Sequence, residues 1–320
     1  MIRRRPPTVV ESPSLPIAPV LSVHLITYNQ RAFIASAIEG VLMQRTRFPF
    51  EIVIGDDDST DGTRDILEGY QTQYADRIRL VLHRHRVGWR QNSVATFAEC
   101  RGEYIALLEG DDYWIDPDKL QLQVDAFAAS PNAFLCGARA YIERDGELGQ
   151  REVAPAVSSA QLSTYGAREL FDGTWWFRTC TKVYRRRVLA AAPPHLLGAD
   201  WAGTLWCIAH ENFGPVAFVD RIVGVYREHP DGVWSSLTRC ERLASDVRAL
   251  DDVIPYFFGL DRAALCRLMT SQVAEILASR DASRRTRMAC CLRALRRNPC
   301  LQSLRALVRG ALGHANATTA

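Results

Sequence analysis

Three times between residues 20 and 100 a short apolar run breaks at a polar turn and gives way to an amphipathic segment of helical period. That alternation constrains the fold more than any other feature of the chain. Val20 to Ile26 ends at Thr27-Tyr28-Asn29 and is followed by Phe33, Ile34, Ala37, Ile38, Val41 and Leu42 at helical spacing. Phe50 to Gly55 ends in Asp56-Asp57-Asp58-Ser59, and a helix from Asp61 carries Ile66, Leu67 and Tyr70 on one side. Ile78 to Leu82 leads through a basic loop to a helix around Asn92 to Cys100. A fourth run, Tyr104 to Leu108, stops at Glu109, Asp111 and Asp112, with Gly110 letting the backbone turn between them. Strands that alternate with helices build a mostly parallel sheet covered on both faces. Ligands of such sheets bind beyond the carboxyl ends of the strands. Thr27, Asp57 and Asp111 are therefore expected on one rim.

Three carboxylates at a strand end repel one another in a partly dry site, so their proximity calls for a cation or raised pKa values. Acidic oxygens suit a hard ion such as Mg²⁺ or Mn²⁺, which completes its shell with water and substrate phosphates. The plainer alternative is that the acids only lead into a helix, and Asp116-Pro117-Asp118 reads as a helix start.

Beyond Leu120 the pattern weakens. Ala133 to Ala140, Thr181 to Tyr184 and Val216 to Val225 read as strands, and the chain is helical from Ser235 nearly to its end. Three regions follow: a proline-punctuated tail over 1–19 expected to be disordered, a catalytic α/β domain over 20–235, and a basic helical appendage over 236–320. The formal net charge is only +3, too balanced to argue for a nucleic-acid partner. From Ala282 to Ala320, however, there are eight arginines and no acid. Met288, Cys291, Leu292 and Leu295 are spaced as one helical face, which either packs on the catalytic domain or docks on anionic lipid. The nine cysteines form no Cys-x-x-Cys pair, and neither a zinc site nor a disulfide framework is indicated. No run reaches the roughly 20 apolar residues of a membrane span, and a cytoplasmic setting, with peripheral membrane contact through the basic C-terminus as the alternative, fits best. His24 reads as structural, and His83 and His85 as solvated loop residues.

Four blocks, taken together and in order, resemble the inverting family-2 glycosyltransferases of GT-A fold: Ile26-Thr27-Tyr28-Asn29, Ile54 through Thr63, Glu109-Gly110-Asp111-Asp112-Tyr113-Trp114, and Tyr226-Arg227-Glu228-His229. The resemblance covers roughly residues 20–235. It implies a nucleotide-diphosphate sugar donor, a divalent metal, a carbohydrate or lipid-linked acceptor, and transfer with inversion at the anomeric carbon, in surface polysaccharide or other glycan synthesis. It assigns Thr27, Tyr28, Asn29 and Asp57 to the nucleoside, with Asp57 accepting from a base N–H. Arg86, Arg90 and Asn92 fall in a donor-site loop, and Asp111 is the direct metal contact. Glu109 stands where the commoner motif has Asp; with Asp112 it completes the acidic set, and His229 becomes a metal ligand or phosphate donor. Asp200, opening a downstream helix, is the candidate general base, with Asp172 as the fallback. Trp175-Trp176-Phe177 is either an acceptor platform or core.

Two rival readings remain at this point. Asp57, Ser59, Asp61, Gly62 and Glu68 match the spacing of an EF-hand calcium loop, but Glu51 to Gly55 reads as a strand where that motif needs a helix. A nucleotidyltransferase would share the acid-lined sheet, yet such enzymes carry a glycine-rich loop after the first strand, where this chain has Thr27-Tyr28-Asn29-Gln30-Arg31. A noncatalytic sugar-binding or calcium-binding module is the alternative outside enzymes.

Overall fold

The structure, a computed structural model, describes residues 6–144, 146–149, 177–191, 216–257 and 259–297. The chain divides into two compact units; of the described residues, 6–191 and 216–228 belong to the first and 229–297 to the second.

The first unit is built on one sheet. Its centre is the parallel set β4 (Ile78–Leu82), β3 (Phe50–Asp56), β2 (Leu21–Thr27) and β5 (Tyr104–Glu109), in that spatial order. Helices α1 (Ile34–Leu42), α2 (Thr63–Gln73) and α3 (Trp89–Ala98) supply the crossovers. The predicted strand–helix alternation is thus what forms. Leu21, Val23, Leu25, Ile52, Ile54 and Ala106 are fully buried, because a parallel sheet is covered on both faces and tolerates continuous apolar runs. Two acids on β3 are also fully buried: Glu51 pairs with Arg101 at 2.7 Å while accepting from the Ser22 hydroxyl, and Asp56 pairs with Arg64.

Beyond β5 the sheet becomes mixed. It continues through β9 (Val183–Arg185), β7 (Leu135–Arg144) and β10 (Val216–Glu228) to the two-residue β6 (Tyr113–Trp114). Strands β7 and β10 are parallel, whereas β9 and β6 run antiparallel to their neighbours. A short β8 (Glu147–Leu148) closes a hairpin on β7, and helices α4 (Lys119–Ala129) and α5 (Arg186–Ala191) complete the described part of the unit.

Two expectations are corrected here. The N-terminal tail is not wholly without structure: Thr8–Val10 form β1, antiparallel to β4 at the sheet edge, and Glu11 pairs with Arg79 at 2.7 Å. A short β-branched run after a proline suits an edge, where one side of the strand needs no ladder. His83 is buried rather than solvated, because its N–H extends the ladder to Asp56 O at 3.0 Å. His24 is buried as expected, its Nε2 lying 2.9 Å from Ser93 O.

The second unit is helical, with α6 (Arg239–Val253), α7 (Gly259–Ala278) and α8 (Arg284–Arg297). Thr238 opens α6 with a capping box, its hydroxyl and Glu241 satisfying each other's free N–H groups. On α8 the buried residues are the small Cys290 and Ala294, while Met288 and Leu292 are exposed. Of the face read from sequence, Cys291 and Leu295 are half-buried. Among the described residues no helix is long and apolar enough to cross a membrane.

Candidate active site

Thr27 is the last residue of β2, and its two neighbouring strands end beside it. Thr27 is in register with Asp56 of β3, and Ile26 with Glu109 of β5. Asp57 N donates to Thr27 O at 3.1 Å, and Gly110 N donates to Ile26 O at 2.9 Å. Asp57 and the acid turn Glu109–Asp112 therefore leave the sheet at the same rim, on either side of Thr27. Gly110 is required there: a Cβ would lie 2.5 Å from Gln30 Oε1 and 2.9 Å from Thr27 Oγ1. The Thr27 hydroxyl donates to that same Gln30 oxygen at 2.8 Å.

The acid turn is gripped from β10. Arg227 N donates to Asp112 Oδ1 at 2.9 Å, and Arg227 Nη1 donates to Asp111 O at 2.9 Å. Its Nε donates to Glu143 Oε1 at 2.9 Å, and Tyr113 OH donates to the other oxygen of Glu143 at 3.0 Å. The guanidinium also lies 4.2 Å above the Tyr113 ring. Asp112 is buried, and its Oδ2 has no hydrogen-bond partner. Burial raises the pKa of Asp112 well above the usual carboxylate range, and the charges of Asp111 and Glu109 raise it further. The same acids, Glu109 foremost, add to burial in raising the Tyr226 phenol. The three carboxylates thus share one field.

On the other side of Thr27, both oxygens of Asp57 accept backbone amides, from Val87 N at 2.6 Å and Gly88 N at 2.9 Å. Asp57 fixes the basic loop in front of α3. Arg86 on that loop stacks over the Tyr28 ring at 4.1 Å, and Arg90 lies 5.1 Å over Trp89. Asn29 adopts a left-handed φ of 51° and ties the first turn to the second, its Oδ1 accepting from Thr60 N and its N–H donating to Ser59 Oγ. Asn92 is buried, donating to Gly55 O at 2.9 Å. Arg64 reaches from α2 to Asp56 Oδ2 and to His83 O, at 2.7 Å to the latter. The calcium-loop reading fails on this geometry: β3 occupies the place of the first helix.

Asp200, Asp172, Trp175 and Trp176 lie outside the described residues. Phe177 packs on Phe218 and is buried, as in the core reading of that aromatic run. His229 opens the second unit, where its carbonyl accepts from Gly232 N and Ser235 Oγ. Arg227 and Gln30 were not singled out from sequence; only the block containing Arg227 was.

Among the described residues no three His, Cys, Asp or Glu side chains are gathered tightly enough to hold a metal by themselves. The acid turn nonetheless fits a hard ion that takes part of its shell from phosphate and water. It offers carboxylate oxygens, one of them orphaned, and Arg227 meets the turn at one Asp112 oxygen and at the Asp111 carbonyl.

The architecture is that of the GT-A glycosyltransferases. A structure of S. aureus TarS 1-349 in complex with UDP aligns with a TM-score of 0.57 at 16% identity, covering 87% of this chain and 81% of that one. The mannosyltransferase PcManGT from Pyrobaculum calidifontis, in complex with GDP-Man and Mn²⁺, aligns at 0.58 and 18% identity, covering 98% and 85%. Residues 22–191, more than half of the chain, match the model described as Glycosyl transferase family 2, and the chain belongs to that family. It is 31% identical over 244 residues to protein Rv1520 of Mycobacterium tuberculosis, covering 73% of this chain and 68% of the relative. It is also 31% identical over 141 residues to the chondroitin synthase of Escherichia coli, covering 43% and 20%.

Proposed function

We propose that this glycosyltransferase is metal-dependent and inverting, moving a sugar from a nucleotide-diphosphate donor to an acceptor hydroxyl in polysaccharide or glycan synthesis. One observation carries the reading: Asp57 and the acid turn flank Thr27 on a single rim. A donor laid along that rim sets its nucleoside by Thr27, Tyr28 and Asp57, with its diphosphate toward Glu109 and Asp111. Uracil, thymine and guanine all present the N–H that Asp57 accepts in this reading. The structural neighbours in complex with UDP and with GDP-Man support a nucleotide sugar, and the match to a chondroitin synthase supports a polysaccharide product.

Glu109 and Asp111 would hold Mg²⁺ or Mn²⁺, which supplies charge neutralisation of the leaving diphosphate. Arg86, on the loop that Asp57 anchors, and Arg90, in the first turn of α3, bring further positive charge to the donor. In the transfer, the acceptor oxygen forms a bond to the anomeric carbon as the bond to the diphosphate oxygen breaks. Asp200 takes the acceptor proton. One displacement of this kind inverts the carbon and needs no covalent enzyme intermediate.

Product analysis tests the reading. Incubation with UDP-, GDP- and dTDP-sugars, Mn²⁺ and a panel of hydroxyl-bearing carbohydrate acceptors is expected to release nucleoside diphosphate and an inverted glycoside. Release of sugar 1-phosphate instead, or of pyrophosphate when a nucleoside triphosphate and a sugar 1-phosphate are supplied, would mean nucleotidyl transfer, and no turnover with tight sugar binding would mean a noncatalytic module.

A further inference from the structure

Helix α8 carries six arginines and no acid along its 14 residues. Three of the arginines are engaged within the second unit. Arg287 Nη2 donates to Ser279 O at 2.6 Å, and Arg293 and Arg297 pair with Asp251 at 3.6 and 2.5 Å. Cys290 and Ala294 seat the helix, both nearly fully buried.

The opposite face is different in kind. Arg285, Met288, Leu292 and Arg296 follow one another at steps of three and four along it, with Arg284 beside the first, and all five are exposed. Met288 is 63% exposed and Leu292 60% exposed, values that mark them as unpacked. Arg284, Arg285 and Arg296 have no ion-pair partner among the described residues. The face is thus an apolar pair with arginines at both ends, in a stretch from Ala282 to Ala320 that contains no acid.

We infer that this face docks on an anionic lipid bilayer. Met288 and Leu292 enter the boundary between headgroups and acyl chains, while Arg284, Arg285 and Arg296 lie against lipid phosphates. Charge complementarity selects an anionic partner, and the exposed apolar pair selects a bilayer over a nucleic acid, which would reward arginines but not Met288 and Leu292. A lone helical face of this size gives reversible binding, which suits a transferase that meets its acceptor at a membrane surface and its donor in water.

Sedimentation of the full chain with vesicles tests the inference. Vesicles of phosphatidylcholine with 30% phosphatidylglycerol, the proportion set on the order of natural anionic surfaces, are expected to pull the protein down, whereas pure phosphatidylcholine is not. Arg284→Gln, Arg285→Gln and Arg296→Gln combined should weaken binding on the order of 100-fold. Met288→Gln with Leu292→Gln should weaken it on the order of tenfold, and 0.5 M NaCl, an ionic strength at which surface charges are screened within about 5 Å, should release the wild type. Melting curves of the variants separate loss of binding from loss of fold. Absence of anionic-vesicle binding, or unchanged binding in both folded variants, overturns the inference. So does binding to RNA or heparin that matches vesicle binding, is lost in the arginine variant and is unchanged in Met288→Gln with Leu292→Gln. Because no donor is present, the outcome is independent of the transfer reaction.

Discussion

Arg227 donates its backbone N–H to the buried carboxylate of Asp112, and these two residues, 115 positions apart, lock the last strand of the first unit to the acid turn of β5. The Arg227 side chain then reaches past Asp112 to the carbonyl of Asp111 and back to Glu143. A turn carrying three carboxylates is braced by one arginine, which meets it at the Asp112 carboxylate and at the Asp111 carbonyl.

Replacing Arg227 by Met is expected to uncover that repulsion. Glu143 and the Asp111 carbonyl lose their partner, and breaking a largely buried pair costs about 3 kcal/mol of stability. Arg227→Lys should recover most of the melting temperature but not the fork that joins Glu143 to Asp111. Mn²⁺ titration of both variants reads the consequence directly: the apparent metal affinity falls in both. If Arg227→Lys has wild-type Mn²⁺ affinity, the fork does not shape the turn.

Asp57→Asn tests the donor loop. An amide has one acceptor oxygen where the carboxylate uses two, so one of the bonds to Val87 N and Gly88 N is lost. Losing a charge-assisted hydrogen bond weakens donor binding by about 2 kcal/mol, roughly 30-fold in Kd. Calorimetry with the nucleotide alone measures it, and an unchanged Kd would show that the loop is held by other contacts.

Lys119 gives the first unit a pH signature. It is buried against the Trp114 ring at 4.0 Å and donates to Gln123 at 2.7 Å, and burial lowers its pKa to about 7. The unfolded chain keeps this proton up to the ordinary lysine range, while the folded chain releases it near neutrality. Between those two values the unfolded state binds more protons, so stability rises with pH, by up to about 1.4 kcal/mol per unit. Below about pH 7 both states hold the proton and the penalty is complete. Lys119→Met is expected to remove that slope, and denaturant melts from neutral to alkaline pH compare the two proteins. Equal slopes would place the lysine charge elsewhere.

Asp200→Asn is expected to bind donor normally and to lose transfer by about 10²–10⁴-fold, the usual contribution of a positioned base. Single-turnover transfer with a saturating donor measures this. A fully active Asn variant assigns proton removal to another group.

Much of the first unit was legible because parallel strands announce themselves as uninterrupted apolar runs, and their polar ends mark the rim. Thr27, Asp57 and Asp111 meet there because β3 and β5 both pair with β2. Arg227 was hidden: its partners come from a turn more than a hundred residues earlier, and an arginine ending a strand has no local signature. Strand β6 has two residues, too short for any period. On α8 the apolar spacing left two readings open, because the small Cys290 and Ala294 that approach a neighbouring helix closely carry little hydrophobic signal beside Met288 and Leu292.

The most direct test of the account is calorimetric titration of a nucleotide-diphosphate sugar into wild type and Asp111→Ala, each with Mn²⁺ and with EDTA. Binding that needs Mn²⁺ in the wild type and is lost in Asp111→Ala is the predicted result. Equal binding in all four conditions would contradict it, because the acid turn would then play no part in holding the donor.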